Sequence, residues 1–552
     1  MDTASLTLHC AVAATCGLLA HWLYFIHGEK DGKALRIIIA HLNCEILLSA
    51  YLIRYLGISK AYLSFDIIIN LCYFGALFFS IVTYRLAFHR LRHFPGPFGA
   101  KITKGYGLWM ARNVKYVDEI CKLHDIYGDA VRVGPNELSI RNVATLLAVN
   151  GPGSKCRKGT FYEPLHEQGE YPLAVTRDKA HHKQRRQVWE KAFNAKSLKA
   201  YEPRVKSSID DWLSQVASHE GKLMEISHWA LLFVFDVMGK VEYSEDWGAV
   251  RDGRPNPTLH LLEALFTPLG RLGRWIWPIG LVVDTRLGNE EREAFEAWSN
   301  GLLAAKQKEG RKDSTDIATF LIESFYEAPT FKDGLHNQHL LNGEAQSAMI
   351  AATDTVSNTI SWVFYYVARS ASLQAEIYHA IQLLFTQGDE AITHIALSQI
   401  PLLDAVINEA MRLHASVTTG GSRMTPSEGL QVGDLYIPGD VNMVIPPHAL
   451  HLDERYFERA SEFLPERWTT APELVKDKRA FAPFTIGMYN CVGRQLALME
   501  LRYLLAYTVW NYKFAYAPGE NGRRMEEESV DLVILKAGKL DVVFEKREKV
   551  GL

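Results

Sequence analysis

Apolar runs at residues 6–26, 35–56 and 61–82, each near the ~20 residues that cross a bilayer as helix, constrain this chain more than any other feature. The first run has neither a basic leading segment nor a small-residue cleavage site, so it is expected to stay attached. Lys30, Lys33 and Arg36 separate the first two runs, and Arg85, Arg90 and Arg92 follow the third. By the positive-inside rule both basic stretches face the cytosol, which puts the N-terminus across the membrane and everything after the third run on the cytosolic side. Asn43, Glu45 and Arg54 interrupt the second run and Asp66 and Asn70 the third. Such groups are costly in lipid unless they face one another, and Asp66 and Asn70, four apart, share a helix face. Two arrangements stay open: three spans, or one span followed by interfacial helices.

The sequence His93-Phe94-Pro95-Gly96-Pro97-Phe98-Gly99 ends the basic cluster. Proline fixes φ and stops a helix, so the boundary is expected here, with an anchor over residues 1–93 and a catalytic domain over 94–552. Net charge is −3 and the charges are dispersed, which excludes the strong positive field that nucleic-acid binding requires. Seven cysteines (Cys10, Cys16, Cys44, Cys72, Cys121, Cys156 and Cys491) show no CxxC or Cys/His ligand spacing. An odd, scattered set is not a disulfide framework, in keeping with a cytosol-facing soluble part.

Cys491 stands apart from the other six. It lies in Phe481-Ala482-Pro483-Phe484-Thr485-Ile486-Gly487-Met488-Tyr489-Asn490-Cys491-Val492-Gly493-Arg494, a Pro- and Gly-punctuated loop ahead of an apolar helical run at 495–512. At a helix N-terminus the free N–H groups and the positive dipole end favour an anion, so Cys491 is expected to be held as thiolate. Gly487 permits a turn and Gly493 a close backbone approach to a flat group. The plain alternative is an inert buried thiol.

A long helix is expected over 344–369, apolar except for Ala351-Ala352-Thr353-Asp354-Thr355-Val356-Ser357. Buried polar side chains need partners or a purpose, and an acid beside an alcohol, Asp354 with Thr355, can relay protons. The alternative is a kinked core helix with a capped polar bulge. Glu409 and Arg412 lie at i and i+3 on one helix face, and Arg467 follows in Pro465-Glu466-Arg467-Trp468. Alone, that spacing describes an ordinary surface pair.

In this order and spacing the motifs resemble the cytochrome P450 family. Phe484, Gly487, Cys491 and Gly493 match its FxxGxxxCxG haem-binding pattern, although Tyr489 stands where the family usually has Arg, which puts propionate anchoring in question. The stretch from Ala351 to Val356 is similar to AGx[DE]TT, with Ala352 for Gly and Val356 for the second Thr. Glu409, Arg412 and Arg467 resemble the ExxR and PER motifs, which implies an ion-pair network beneath the haem. His182 and Arg186 match the family's Trp/His-xxx-Arg helix, and with Arg423 they are the candidate propionate partners. Lys183, Arg185, Lys191 and Arg494 read as exposed cations able to dock an acidic reductase.

The resemblance implies a mainly α fold with a small β region, preceded by transmembrane helices. It also implies haem b (iron protoporphyrin IX) with Cys491 as the axial ligand of the iron, and Thr355 facing dioxygen while Asp354 links to solvent through water. NADPH-cytochrome P450 reductase, with or without cytochrome b5, is the expected electron donor, since no GxGxxG or Walker loop is present. The substrate pocket is expected among 161–174, 348–352, 416–421 and 530–534, mostly small or apolar positions that suit a hydrophobic small molecule. The run 265–283, with Trp275 and Trp277, reads either as a membrane-dipping surface or as a buried helix pair. The three runs and the Tyr489–Gly493 wording are similar to fungal P450s of secondary metabolism, which implies an oxidative tailoring enzyme of the endoplasmic reticulum membrane. Two further readings stay open: a reductase-independent haem-thiolate isomerase or dehydratase, against which Asp354 and Thr355 argue, and a haem-binding sensor without turnover.

Overall fold

The computed structural model describes residues 3–28, 30–58, 60–165, 172–254, 257–273, 275–285, 290–309, 315–327 and 334–548. Three helices open the chain: α1 (Thr3–Ala20), α2 (Ala34–Leu56) and α3 (Lys60–Thr83), with π-helical turns after α1 and α3. Among the described residues these are the three helices long and apolar enough to cross a membrane. Two of the polar side chains within them meet. The Asn70 amide donates to the Glu45 carboxylate at 2.9 Å and to the Asp66 carbonyl at 3.2 Å, joining α2 to α3. α1 lies close on α3, where a Cβ at Gly17 would fall 2.3 Å from the Tyr73 carbonyl oxygen.

Beyond the hinge the protein is mainly helical. Its largest hydrophobic core gathers α5 (Lys179–Ala192), α6 (Ile226–Met238), the central α9 (Gly334–Ala368), α10 (Pro401–Leu413) and α11 (Arg494–Asn511). α9 starts ten residues earlier than the apolar pattern indicated, packs beside α6, and is continuously buried over residues 356–365.

A five-stranded sheet flanks this core, with β1 (Ala130–Gly134), β2 (Glu137–Ile140), β3 (Arg157–Lys158), β4 (Arg423–Met424) and β5 (Asn442–Val444) in the order β1-β2-β5-β4-β3. Its register sets Lys158 opposite Arg423 on neighbouring antiparallel strands. Helix α4 (Val143–Asn150), capped by the Asn142 side chain, shares a hydrophobic cluster with β2 and β5 and packs on the Gly487–Tyr489 turn of the cysteine loop.

Candidate haem-thiolate site

The cysteine loop is held from both ends. The Cys491 N–H donates to the Phe484 carbonyl at 2.9 Å and the Asn490 N–H to the Gly487 carbonyl at 3.1 Å. Gly487 has φ +68°, and a Cβ there would lie 1.9 Å from the Asn150 carbonyl oxygen at the end of α4. No other residue fits this turn. At Gly493 a Cβ would meet only Phe193 at 3.8 Å and the Cys491 sulfur at 3.9 Å, so space beside the sulfur is left open.

Cys491 is solvent-accessible through this recess. It precedes the first residue of α11 by three positions. Surrounding protein pushes its pKa up, while the Gly493 and Arg494 N–H groups and the Arg186 and Arg494 charges pull it down without reversing the shift.

Glu409 sits at the centre of a fully buried network. Its carboxylate accepts from Arg412 Nε and Nη2 at 2.9 and 2.8 Å, Arg467 Nε at 2.9 Å, Trp468 Nε1 at 2.9 Å and the Leu464 N–H at 3.0 Å. Arg412 also donates to the carbonyls of His451, Ala460 and Glu462, and Arg467 to those of Glu458 and Arg459. One carboxylate thereby fixes α10 to the segment that leads into the cysteine loop.

The candidate propionate partners separate into two groups. Arg186 donates to Glu190 at 2.9 Å and to the Asn490 carbonyl at 2.5 Å, so it braces the cysteine loop. His182 is buried edge-on to Tyr489, with ring centroids 4.7 Å apart, and Arg423 lies over the Tyr489 ring at 4.6 Å. Burial, then Lys158, Arg186 and Arg423, push His182 down to about 3, so it is neutral. Its Nδ1 and the Arg423 Nε are buried without a hydrogen-bond partner among the described residues.

Lys158, which the sequence reading passed over, completes the group. It is buried 5.4 Å from the Tyr489 ring centre and donates to the Leu173 and Ala174 carbonyls at 2.7 and 2.6 Å. Burial, then the charge of Arg423 across the strand pair, push the Lys158 pKa well below its ordinary value, the cost of holding two cations in register with no anion between them. The unpaired donors, the two cations and the open space beside the Cys491 sulfur together fit a flat macrocycle with anionic edges.

Arg185 departs from expectation. It is buried rather than solvated, and donates to the fully buried Glu344 of α9 at 2.8 Å; Trp189 and the Leu173 N–H use the same carboxylate. The signal was Arg185 and Trp189 at i and i+4, one helix face. Lys183, Lys191 and Arg494 are exposed.

On α9 the hydroxyls of Thr353, Thr355, Ser357, Thr359 and Ser361 each donate to the carbonyl four residues back, at 2.7–2.9 Å. Asp354, with Ser357, Asn358 and Ser361, lines a cavity of about 490 Å³ that Thr355 does not line. α7 (Pro257–Leu272) contributes Leu259, Leu262 and Phe266, and the C-terminal loop Val530, Leu532 and Ile534. Of the expected pocket segments only 530–534 lines it, and Glu225, His228, His260 and Lys536 make it more polar than expected. The middle of the expected pocket loop, residues 166–171, lies outside the described residues.

The run around Trp275 and Trp277 is partly covered by the protein itself, because α8 (Trp277–Thr285) packs on α2.

Comparison with known proteins gives the same answer as the geometry. The Cytochrome P450 family profile matches residues 95–544. The chain belongs to the cytochrome P450 family. This cytochrome P450 is 34% identical over 547 residues to the cytochrome P450 monooxygenase phqL of Penicillium fellutanum, covering 98% of this chain and 95% of the relative. It is 32% identical over 538 residues to the monooxygenase FCK2 of Fusarium pseudograminearum, covering 96% of each, and 28% identical over 556 residues to tryprostatin B 6-hydroxylase of Neosartorya fischeri, covering 98% and 99%. It is a monooxygenase, an oxidoreductase that works through haem iron.

Proposed function

We propose that this P450 inserts one atom of O2 into a hydrophobic small molecule as an oxidative tailoring step of fungal secondary metabolism. The observation that carries the reading is the Cys491 recess, with Gly487 locked against α4 and unpaired donors at its edge. Haem b would be held by Cys491 at the iron and by His182, Arg423 and Lys158 at the propionates, with Phe484, Gly487 and Gly493 shaping the floor and Arg186 bracing the loop. Glu409, Arg412 and Arg467 are structural: they fix the segment from which the loop departs. When bound, the haem supplies O2 chemistry, and its thiolate ligand favours O–O cleavage.

The chain's own part in that chemistry is proton handling. The Asp354 carboxyl draws protons from water in the adjoining cavity and passes them toward the Thr355 hydroxyl one residue on, whose hydrogen bond to the Ala351 carbonyl at 2.7 Å orients it. Retention of this acid-alcohol pair argues against a peroxide isomerase or a haem sensor, neither of which requires it.

Electrons come from NADPH-cytochrome P450 reductase docking on Lys183, Lys191 and Arg494, with cytochrome b5 as an alternative donor. Residues 1–93 form the anchor, with three spans in the endoplasmic reticulum membrane, and 94–552 the cytosolic catalytic domain. The contact of the α1–α2 connection with the catalytic part supports this topology, since it puts both on one side of the bilayer. The fungal sources of the relatives, and the hydroxylase named for tryprostatin B, support the tailoring role. NADPH-dependent oxygen consumption on adding reductase to the membrane-bound protein tests the reading; haem-loaded protein that consumes no oxygen with any fungal reductase or extract of apolar metabolites would refute it.

A further inference from the structure

The connection between the first two membrane helices packs on the catalytic part and adds an ion pair to it. Asp31, at the start of the 3-10 turn Asp31–Lys33, accepts from Lys104 Nζ at 2.7 Å, and Lys104 also binds Glu137 of β2 at 2.9 Å. The Asp31–Lys33 turn also packs on the helical turn Thr160–Leu165 and on α8. The three contacts belong to different segments: the stretch just past the hinge, the helical turn Thr160–Leu165, and α8. The next residue reinforces the contact, since a Cβ at Gly32 would fall 2.7 Å from Glu163 Cγ.

One of these attachment points adjoins the proposed propionate edge. Thr160 follows the buried Lys158 by two residues and exchanges two hydrogen bonds with Asn442, at 2.9 and 3.0 Å. α8 packs on the membrane helix α2 and on the Thr160 turn. An apolar molecule arriving from lipid beside α2 therefore meets α8 and the Thr160 turn first.

We propose that Asp31 is a positioning residue through which the membrane anchor sets the placement of the Thr160–Leu165 turn and α8, and so the rate at which a lipid-dissolved apolar ligand reaches the haem. The assignment rests on the P450 reading above. Removing the Asp31 charge leaves the Lys104–Glu137 pair in place, so Asp31→Asn loosens the attachment of the anchor without stranding a buried cation.

The test uses the full-length holoenzyme in phospholipid nanodiscs, with clotrimazole as an apolar haem ligand. Stopped-flow measurement of the Soret shift gives its association rate, and hydrogen exchange reports residues 160–165 and 277–285. Asp31→Asn is expected to speed exchange in both segments by about tenfold and to change the association rate by at least about threefold, with the carbon monoxide spectrum unchanged. Asp31→Glu should restore most of both. Gly32→Val, which wedges the turn while keeping the charge, should move the same two readouts if Asp31→Asn yields too little protein. Exchange and association rates equal to wild type in these variants, or faster exchange without a change in association, overturn the proposal. Wild-type protein unable to take up haem would fall on the reading of function instead, since the exchange measurement does not depend on it.

Discussion

Replacing Glu409 with alanine tests how much of this enzyme rests on one buried carboxylate. Five donors converge on it, and the side chains of Glu409, Arg412 and Arg467 have no solvent exposure. Removing one member of a buried ion pair costs ~3–5 kcal/mol because the partner charge is stranded. Here two guanidinium groups lose the same counter-charge, and the Leu464 N–H and Trp468 indole lose an acceptor, each worth ~1–3 kcal/mol when left unpaired. The carbonyls around Arg412 and Arg467 keep both cations hydrogen-bonded, which holds the sum near the low end, about 5 kcal/mol. That is comparable with the ~5–15 kcal/mol by which a domain is stable, so Glu409→Ala is expected to accumulate as apoprotein. Glu409→Gln keeps the shape and one acceptor oxygen and should retain part of the haem. Haem per polypeptide, read as the pyridine haemochromogen of protein purified from membranes, decides the matter. Glu409→Ala with wild-type haem stoichiometry and an unchanged thermal midpoint would refute the reasoning.

Gly487→Ala places a Cβ 1.9 Å from the Asn150 carbonyl at a positive φ, so the loop should misplace its cysteine and haem content should fall at least about tenfold; a full complement of haem contradicts this. Asp354→Asn should keep its haem and lower reductase-driven oxygen consumption by about 10²-fold, whereas wild-type consumption would remove Asp354 from the proton path. The protein should also lose stability on mild acidification. Burial, then Arg132 for His89 and Arg412 for His451, push these imidazoles down from 6.5 to about 3. Between those values the unfolded chain binds protons that the native state refuses, so stability falls as pH drops below 6.5, on the order of 1 kcal/mol per histidine by about pH 5.5. Denaturation midpoints at the two pH values should differ, and His451→Gln should narrow the gap; equal midpoints in wild type contradict the account.

What was legible in the sequence was local. The three apolar helices, the Pro-Gly hinge, the turn at Gly487 and the i, i+3 pair of Glu409 with Arg412 each depend on residues a few positions apart. What was not legible depended on distant partners. Arg185 reads as a solvated cation until Glu344, 159 residues away, is seen beneath it. Lys158 looks unremarkable until strand pairing sets it against Arg423. The cavity beside Asp354 is built from α7, α9 and the C-terminal loop, so its polar lining emerged only from tertiary packing.

The most direct test of the central claim is the spectrum of the dithionite-reduced protein under carbon monoxide. Sulfur ligation from Cys491 predicts the strongly red-shifted Soret band of a thiolate-bound haem, abolished in Cys491→Ser. A folded, haem-loaded wild type without that band, or a Cys491→Ser variant that keeps it, would contradict the account.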